Sequence, residues 1–209
     1  MAADQHAVMQ ALGYKKFSVL SHDRGGRVSH RLAMDFPDSV ECLMVLDISP
    51  TLTMYENTTM EFAKGYWHWF FLIQPRPIPE TLIGANPEFW LRNHMGRHAG
   101  TEIFDAQSWD EYLVGASNPE SMHSMCEDYR AAATIDLIHD RADRELGKKL
   151  EMPLKVLWGE HGLVVKCFSP VEDWRKVTQN VSGKALPCGH YIPEELPQEL
   201  LAQAELFFV

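Results

Sequence analysis

This sequence predicts an α/β fold: a parallel sheet flanked by helices and interrupted by a helical insertion. Three observations lead there. Short apolar runs alternate with stretches of helical period, the rhythm of parallel strands joined by helical crossovers. The residues Ser21-His22-Asp23-Arg24-Gly25 form a sharp turn between one such run and one such stretch. Residues 51–150 break the alternation and hold most of the aromatic side chains, spaced mainly as on helices.

Taken in order, residues 3–12 carry Ala7, Val8, Met9 and Leu12 near helical spacing, and Gly13 follows as a helix stop. Phe17-Ser18-Val19-Leu20 is a short buried strand, followed by the turn at Asp23. Residues 24–35 are helical in pattern, and Pro37 ends that helix. Leu43-Met44-Val45-Leu46 is a second strand, ending at Asp47. The stretch 51–150 is too aromatic to be disordered and is read as a helical cap, leaving 1–50 and 151–209 as the core. Leu154-Lys155-Val156-Leu157-Trp158 is the third strand, residues 170–178 a helix, and Lys184-Ala185-Leu186 a weak fourth strand. The last helix sets Leu200, Leu201, Ala204, Phe207 and Phe208 along one face. Sheets of this kind carry their chemistry on loops at the carboxyl ends of the strands. Asp23, Asp47 and His190 all fall on such loops.

Composition narrows the field. A chain of 209 residues supports one domain with a sizeable core. A net charge of −10 argues against nucleic acid as the main partner, because phosphate binding needs a basic face. It leaves room for a small anionic substrate held by local arginines. Cys42, Cys126, Cys167 and Cys188 are widely spaced, with no CxxC, and read as reduced thiols of a cytoplasmic protein. No signal peptide is visible at the start. The aromatic run Tyr66 to Ile73 is too short to span a bilayer, so no membrane partner is expected.

The turn reads as a nucleophile elbow, the signature of α/β-hydrolases, with aspartate where serine is more usual. Ser21 and Gly25 are small, as the tight backbone there requires, and Gly26 adds room. A carboxylate at the start of a helix is kept ionised by the dipole, and the Arg24 backbone N–H would supply one oxyanion donor. The plainer alternative is that Asp23 is only a helix cap. An aspartate suits attack on an electrophilic alkyl carbon, forming an ester that histidine-activated water then cleaves. That points to dehalogenation or epoxide opening.

The resemblance then becomes specific. Met1-Ala2-Ala3-Asp4-Gln5, Ser21-His22-Asp23-Arg24-Gly25-Gly26-Arg27-Val28 and Val45-Leu46-Asp47-Ile48 resemble the fluoroacetate (haloacetate) dehalogenases. So do His68-Trp69, Cys126-Glu127-Asp128-Tyr129-Arg130-Ala131 and Gly189-His190-Tyr191-Ile192-Pro193-Glu194-Glu195. The likeness implies a partial α/β-hydrolase fold with a helical cap. Asp23 would be the nucleophile, His190 the general base, and Asp47 the acid that orients His190, with Glu160 a rival for that role. Arg24 and Arg27, three apart on one helix face, would clamp the substrate carboxylate in bidentate fashion. His68, Trp69 and Tyr129 would donate N–H and O–H groups to the departing halide; without the elbow, such a cluster reads as ordinary core. No cofactor or metal is expected.

The resemblance also implies that this chain lacks the family's first strands and a His-Gly loop, with Met1 matching an internal methionine. The strand at 17–20 would then be an edge with uncovered apolar surface, inviting homodimerisation or pairing with another chain. Ser21 stands where the likeness leads one to expect glycine. His94 and His98 have the i, i+4 spacing of a metal pair but no HExxH context, and are read as solvated. Glu127-Asp128 and His139-Asp140 are read as solvated or salt-bridged. An epoxide hydrolase, with Tyr129 polarising the ring oxygen, and an inactive or interaction form are the competing readings.

Overall fold

The structure, a computed structural model, describes residues 1–97 and 100–208; His98, and with it the His94–His98 pair, lies outside the described residues. Along the chain, α1 (Ala2–Ala11) leads to β1 (Phe17–His22), α2 (Arg24–Asp35) and β2 (Val40–Leu46), then α3 (Thr51–Glu56). Six helices follow: α4 (Met60–Gly65), α5 (Trp67–Leu72), α6 (Ile78–Ala85), α7 (Pro87–Met95), α8 (Ala106–Ser117) and α9 (Pro119–Ala132). The chain returns through α10 (Ile135–Glu145) to β3 (Leu154–Gly159), α11 (Leu163–Cys167), α12 (Pro170–Arg175), β4 (Val181–Leu186), α13 (Ile192–Glu195) and α14 (Pro197–Phe207). Two compact units result: Met1–Glu56 with Asp140–Val209, and Asn57–His139.

In the first unit the strands run in the order β1-β2-β3-β4, and every pairing is parallel. Leu43, Met44, Val45 and Leu46 of β2 are fully buried, as a strand covered on both faces must be. β1 and β4 are the outer strands, and both are more open; Leu20 of β1 is exposed. Helix α1 forms where its apolar spacing predicts, and Gly13, at φ 88°, follows it. Yet α1 buries none of its residues, and Val8 and Leu12 are exposed. The core beneath α14 gathers Met44, Leu46, Leu157, Leu186, Ile192 and Leu200, with Ala204, Phe207 and Phe208 packed against it. Leu201 does not join them and is exposed, because the residue after Leu200 lies about 100° further round the helix. The helix expected over 170–178 stops at Arg175, and Thr178 instead forms a bridge with Leu150.

The second unit is helical, and its caps are local. Thr59, Asn86, Asp105 and Asn118 each accept a bond from the first backbone N–H groups of α4, α7, α8 and α9. Pro87 and Pro119 occupy the first helical positions, where a missing N–H costs nothing. Phe62, Tyr66, Trp69 and Leu72 of α4, α5 and their junction are fully buried. Arg130 of α9 bonds Glu80 of α6 at 2.8 Å, Glu127 at 2.6 Å and the Gln74 carbonyl at 2.8 Å; His123 lies 3.1 Å from Glu80. Among the described residues, no helix is long and apolar enough to cross a membrane.

Candidate active site

The site in the first unit is built at the carboxyl ends of the strands. β1 runs directly into α2 through Asp23, whose backbone sits at φ 46° and ψ −113°. Few residues other than glycine adopt a positive φ, so this residue is held by its surroundings. One constraint is close packing behind it. A Cβ at Gly26 would lie 2.7 Å from Ile48 Cγ2, so α2 can approach β2 only with glycine there. At Gly25, expected to be the crowded position, the nearest atom would be 3.7 Å away, an ordinary contact. Ser21 is accommodated by polar pairing: its Oγ lies 2.7 Å from Ser29 Oγ and donates to the Met44 carbonyl. The Asp23 side chain makes no capping bond to α2, although it occupies the N-cap position.

Asp23 faces a histidine instead. Its Oδ2 is 3.4 Å from His190 Nε2, and His190 Nδ1 is 2.6 Å from Asp47 Oδ2. His190 and Asp47 are almost completely buried, while about a fifth of Asp23 is exposed. Asp47, like Asp23, has a positive φ (48°), and its Oδ1 accepts the Gly159 N–H at 3.1 Å. The segment after Asp47 is pinned by Trp174 Nε1 donating to the Ile48 carbonyl and by Ser49 Oγ donating to Asp173. Glu160 is exposed, and it is Asp47 that holds Nδ1 of His190.

The electrostatics follow from this geometry. Burial resists charge on His190, but hydrogen bonds to Asp23 and Asp47 outweigh it and lift its pKa to about 9. Burial likewise resists ionisation of Asp23, yet the bond to His190 and its charge, with a contribution from Arg24, hold the carboxyl far below the usual range. Arg24 is half-buried and Arg27 buried, both at the start of α2.

The other candidates gather in the second unit. His68 and Trp69 of α5 and Tyr129 of α9 are buried. The Tyr129 ring centroid lies 5.9 Å from His68 and 6.3 Å from Trp69, both near edge-on. His94 stands edge-on to His68 at 4.5 Å and stacks on Trp90 at 5.1 Å, a place that its spacing to His98 did not suggest. Glu127 belongs to the Arg130 ion-pair node, and Asp140 lies 4.0 Å from Arg31. Sequence reasoning missed two residues around His190. His22 Nε2 donates to the His190 carbonyl, and Glu195 accepts from the N–H groups on either side of it.

A parallel sheet with a strained carboxylate at a strand-to-helix turn and a histidine–carboxylate pair on neighbouring loops is the arrangement of one class of hydrolase. The sequence pattern of the α/β hydrolase fold matches residues 1–197, and the chain belongs to that family. The chain is similar to the fluoroacetate dehalogenase of Burkholderia sp., at 40% identity over 201 residues, spanning 95% of this chain and 66% of that protein. It therefore spans about two thirds of the length of that relative. It is 32% identical to the soluble epoxide hydrolase of Corynebacterium sp. (strain C12), over all of this chain and 72% of that one. Among solved structures, a Nostoc sp PCC 7120 protein assigned to the α/β hydrolases superposes with a TM-score of 0.97 at 49% identity, covering 100% of this chain and 72% of that one.

Proposed function

We propose that this chain carries the reacting groups of a haloacetate dehalogenase. The observation that carries the reading is Asp23, held at positive φ beside His190, with Asp47 behind the imidazole and two arginines opening the adjacent helix. Arg24 and Arg27 grip the carboxylate of the haloacid, and guanidinium geometry suits that bidentate contact. An Asp23 carboxylate oxygen attacks the CH2 carbon, the carbon–halogen bond breaks, and the halide leaves with the electron pair. By the resemblance, His68, Trp69 and Tyr129 would donate to that halide, which matters most for strongly hydrated fluoride. The product is an ester at Asp23. His190 Nε2 then takes a proton from water, and the hydroxide adds to the Asp23 carbonyl carbon. The Arg24 backbone N–H stabilises the resulting oxyanion. Collapse restores the carboxylate, releases the hydroxy acid, and returns the proton from His190 to solvent.

The likeness to the Burkholderia dehalogenase supports this substrate class. The test is halide release from fluoroacetate and chloroacetate by the purified protein, with Asp23→Asn as control. Release is expected from the parent, with a loss on the order of 10⁴-fold in the variant. A folded protein that frees no halide from either acid overturns the reading. The similarity to the Corynebacterium enzyme supports a second reading, epoxide opening by the same aspartate. The paired arginines favour a carboxylate substrate, and efficient diol formation from styrene oxide would reverse the order.

A further inference from the structure

His190 sits on the loop between β4 and α13, and its own peptide groups are held from two sides. Glu195 folds back so that Oε2 accepts the Gly189 N–H at 2.7 Å and Oε1 accepts the Tyr191 N–H at 3.0 Å. From the other side, His22 Nε2 lies 2.8 Å from the His190 carbonyl oxygen. A carbonyl can only accept, so Nε2 of His22 carries the proton and its tautomer is fixed. His22 is the last residue of β1 and immediately precedes Asp23. The bond therefore ties the elbow directly to the loop that carries the base. The two imidazole rings lie 4.7 Å apart. Burial, and then the charge of His190, push the His22 pKa down to about 4, so His22 stays a neutral donor beside an imidazolium.

We propose that His22 and Glu195 are positioning residues for His190: Glu195 holds the peptide N–H groups on both sides of it, His22 holds its carbonyl, and together they aim the imidazole between Asp47 and Asp23. A histidine ring turns about only two side-chain bonds, so its reach is set by where its Cα–Cβ bond points. With three backbone groups fixed around that bond, Nδ1 meets Asp47 and Nε2 meets Asp23 without a search. The inference rests on the dehalogenase reading for its kinetic consequence, but the aiming itself is a property of the fold.

The experiment titrates the His190 ring by NMR in the full chain and follows the ester in single-turnover reactions with chloroacetate. In His22→Phe and Glu195→Ala the His190 pKa is expected to fall from about 9 toward the ordinary 6.5, because the ring loses its alignment on the two carboxylates. Alkylation of Asp23 should change little, while ester hydrolysis slows, by up to on the order of 100-fold for a displacement near 1 Å, so that carboxymethylated protein accumulates. His22→Gln, which keeps a donor at the same reach, should restore both readouts. Glu195→Gln removes the charge but keeps one acceptor, and should give intermediate values. Should His22→Phe or Glu195→Ala prevent folding, the two glutamine variants decide. A folded His22→Phe, Glu195→Ala or Glu195→Gln protein that keeps the parent His190 titration and ester lifetime, or a His22→Gln protein that loses them, overturns the proposal. If the parent protein frees no halide, the dehalogenase reading fails, and the titration arm alone still decides the aiming.

Discussion

Charge changes at Asp23 control what His190 can do. In the free protein His190 lies 3.4 Å from one carboxylate and 2.6 Å from another, and its pKa is raised to about 9. An imidazolium cannot serve as a base. In the proposed mechanism Asp23 becomes an ester, and its negative charge and its hydrogen bond to His190 would both disappear. The His190 pKa would then fall, and the proton would leave at the step where that mechanism needs a base. The variant Asp23→Asn mimics that loss of charge. Its His190 is expected to titrate clearly below 9 by NMR, while an unchanged value would show that Asp47 alone sets it. Asp23 and Asp47 stood out in the sequence because each lies at the end of an apolar run of strand length, whereas His190 follows only a weak strand and was singled out by the resemblance. Glu195 and His22 were not assigned roles. Their bonds go to backbone groups, and the His22 partner is 168 residues away, so no side-chain pattern announces them.

Among the elements, the β1–α2 junction is the most constrained. Gly26→Ala would place a methyl 2.7 Å from Ile48 Cγ2, and α2 would have to move off β2. A loss of about 1–3 kcal/mol in urea unfolding is expected, with activity falling further than stability because Asp23 moves with the helix. Gly25→Ala, with 3.7 Å of space, is the control that should cost little by packing. The element order was readable because short apolar runs and helical runs alternate without overlap. Element ends were less so. The strands extend beyond their apolar runs, as β4 does from Val181 through the exposed Lys184, because ladder bonds to β3 do not depend on side-chain hydropathy. The apolar spacing of α1 marked a helix, yet none of its residues is fully buried, since periodicity signals a helix but not what covers it.

For the whole molecule, three histidines with displaced pKa values, His22, His30 and His190, shape the pH dependence of stability. His22 is pushed down to about 4 and His30 is also lowered, both by burial first. Their contributions are present above the unfolded value of 6.5 and are lost as pH falls below it, because the unfolded chain takes up protons that the folded one refuses. His190, raised to about 9, acts in the opposite sense: its contribution is present below 6.5 and is lost as pH rises through 9. Stability should therefore peak near pH 6.5, with the steeper limb on the acid side. Urea midpoints across this range test it, and a flat profile would contradict it. None of this was readable from composition, since ten histidines look alike until burial separates them.

The insertion of the second unit between β2 and β3 has a consequence in time. Asp47 and His190, hydrogen-bonded in the finished protein, are 143 residues apart in the chain. At ribosomal speeds of about 5–20 residues per second, roughly 7–30 s separate their synthesis. Through that interval β1 and β2 exist without β3, and the acid that will be sealed from water waits in solvent. The helical unit is one continuous stretch, Asn57–His139, and all of it is made before β3 and β4 exist. The nascent protein therefore completes the helical unit before β3 and β4 exist, and the Asp47–His190 pair can form only near the end of synthesis.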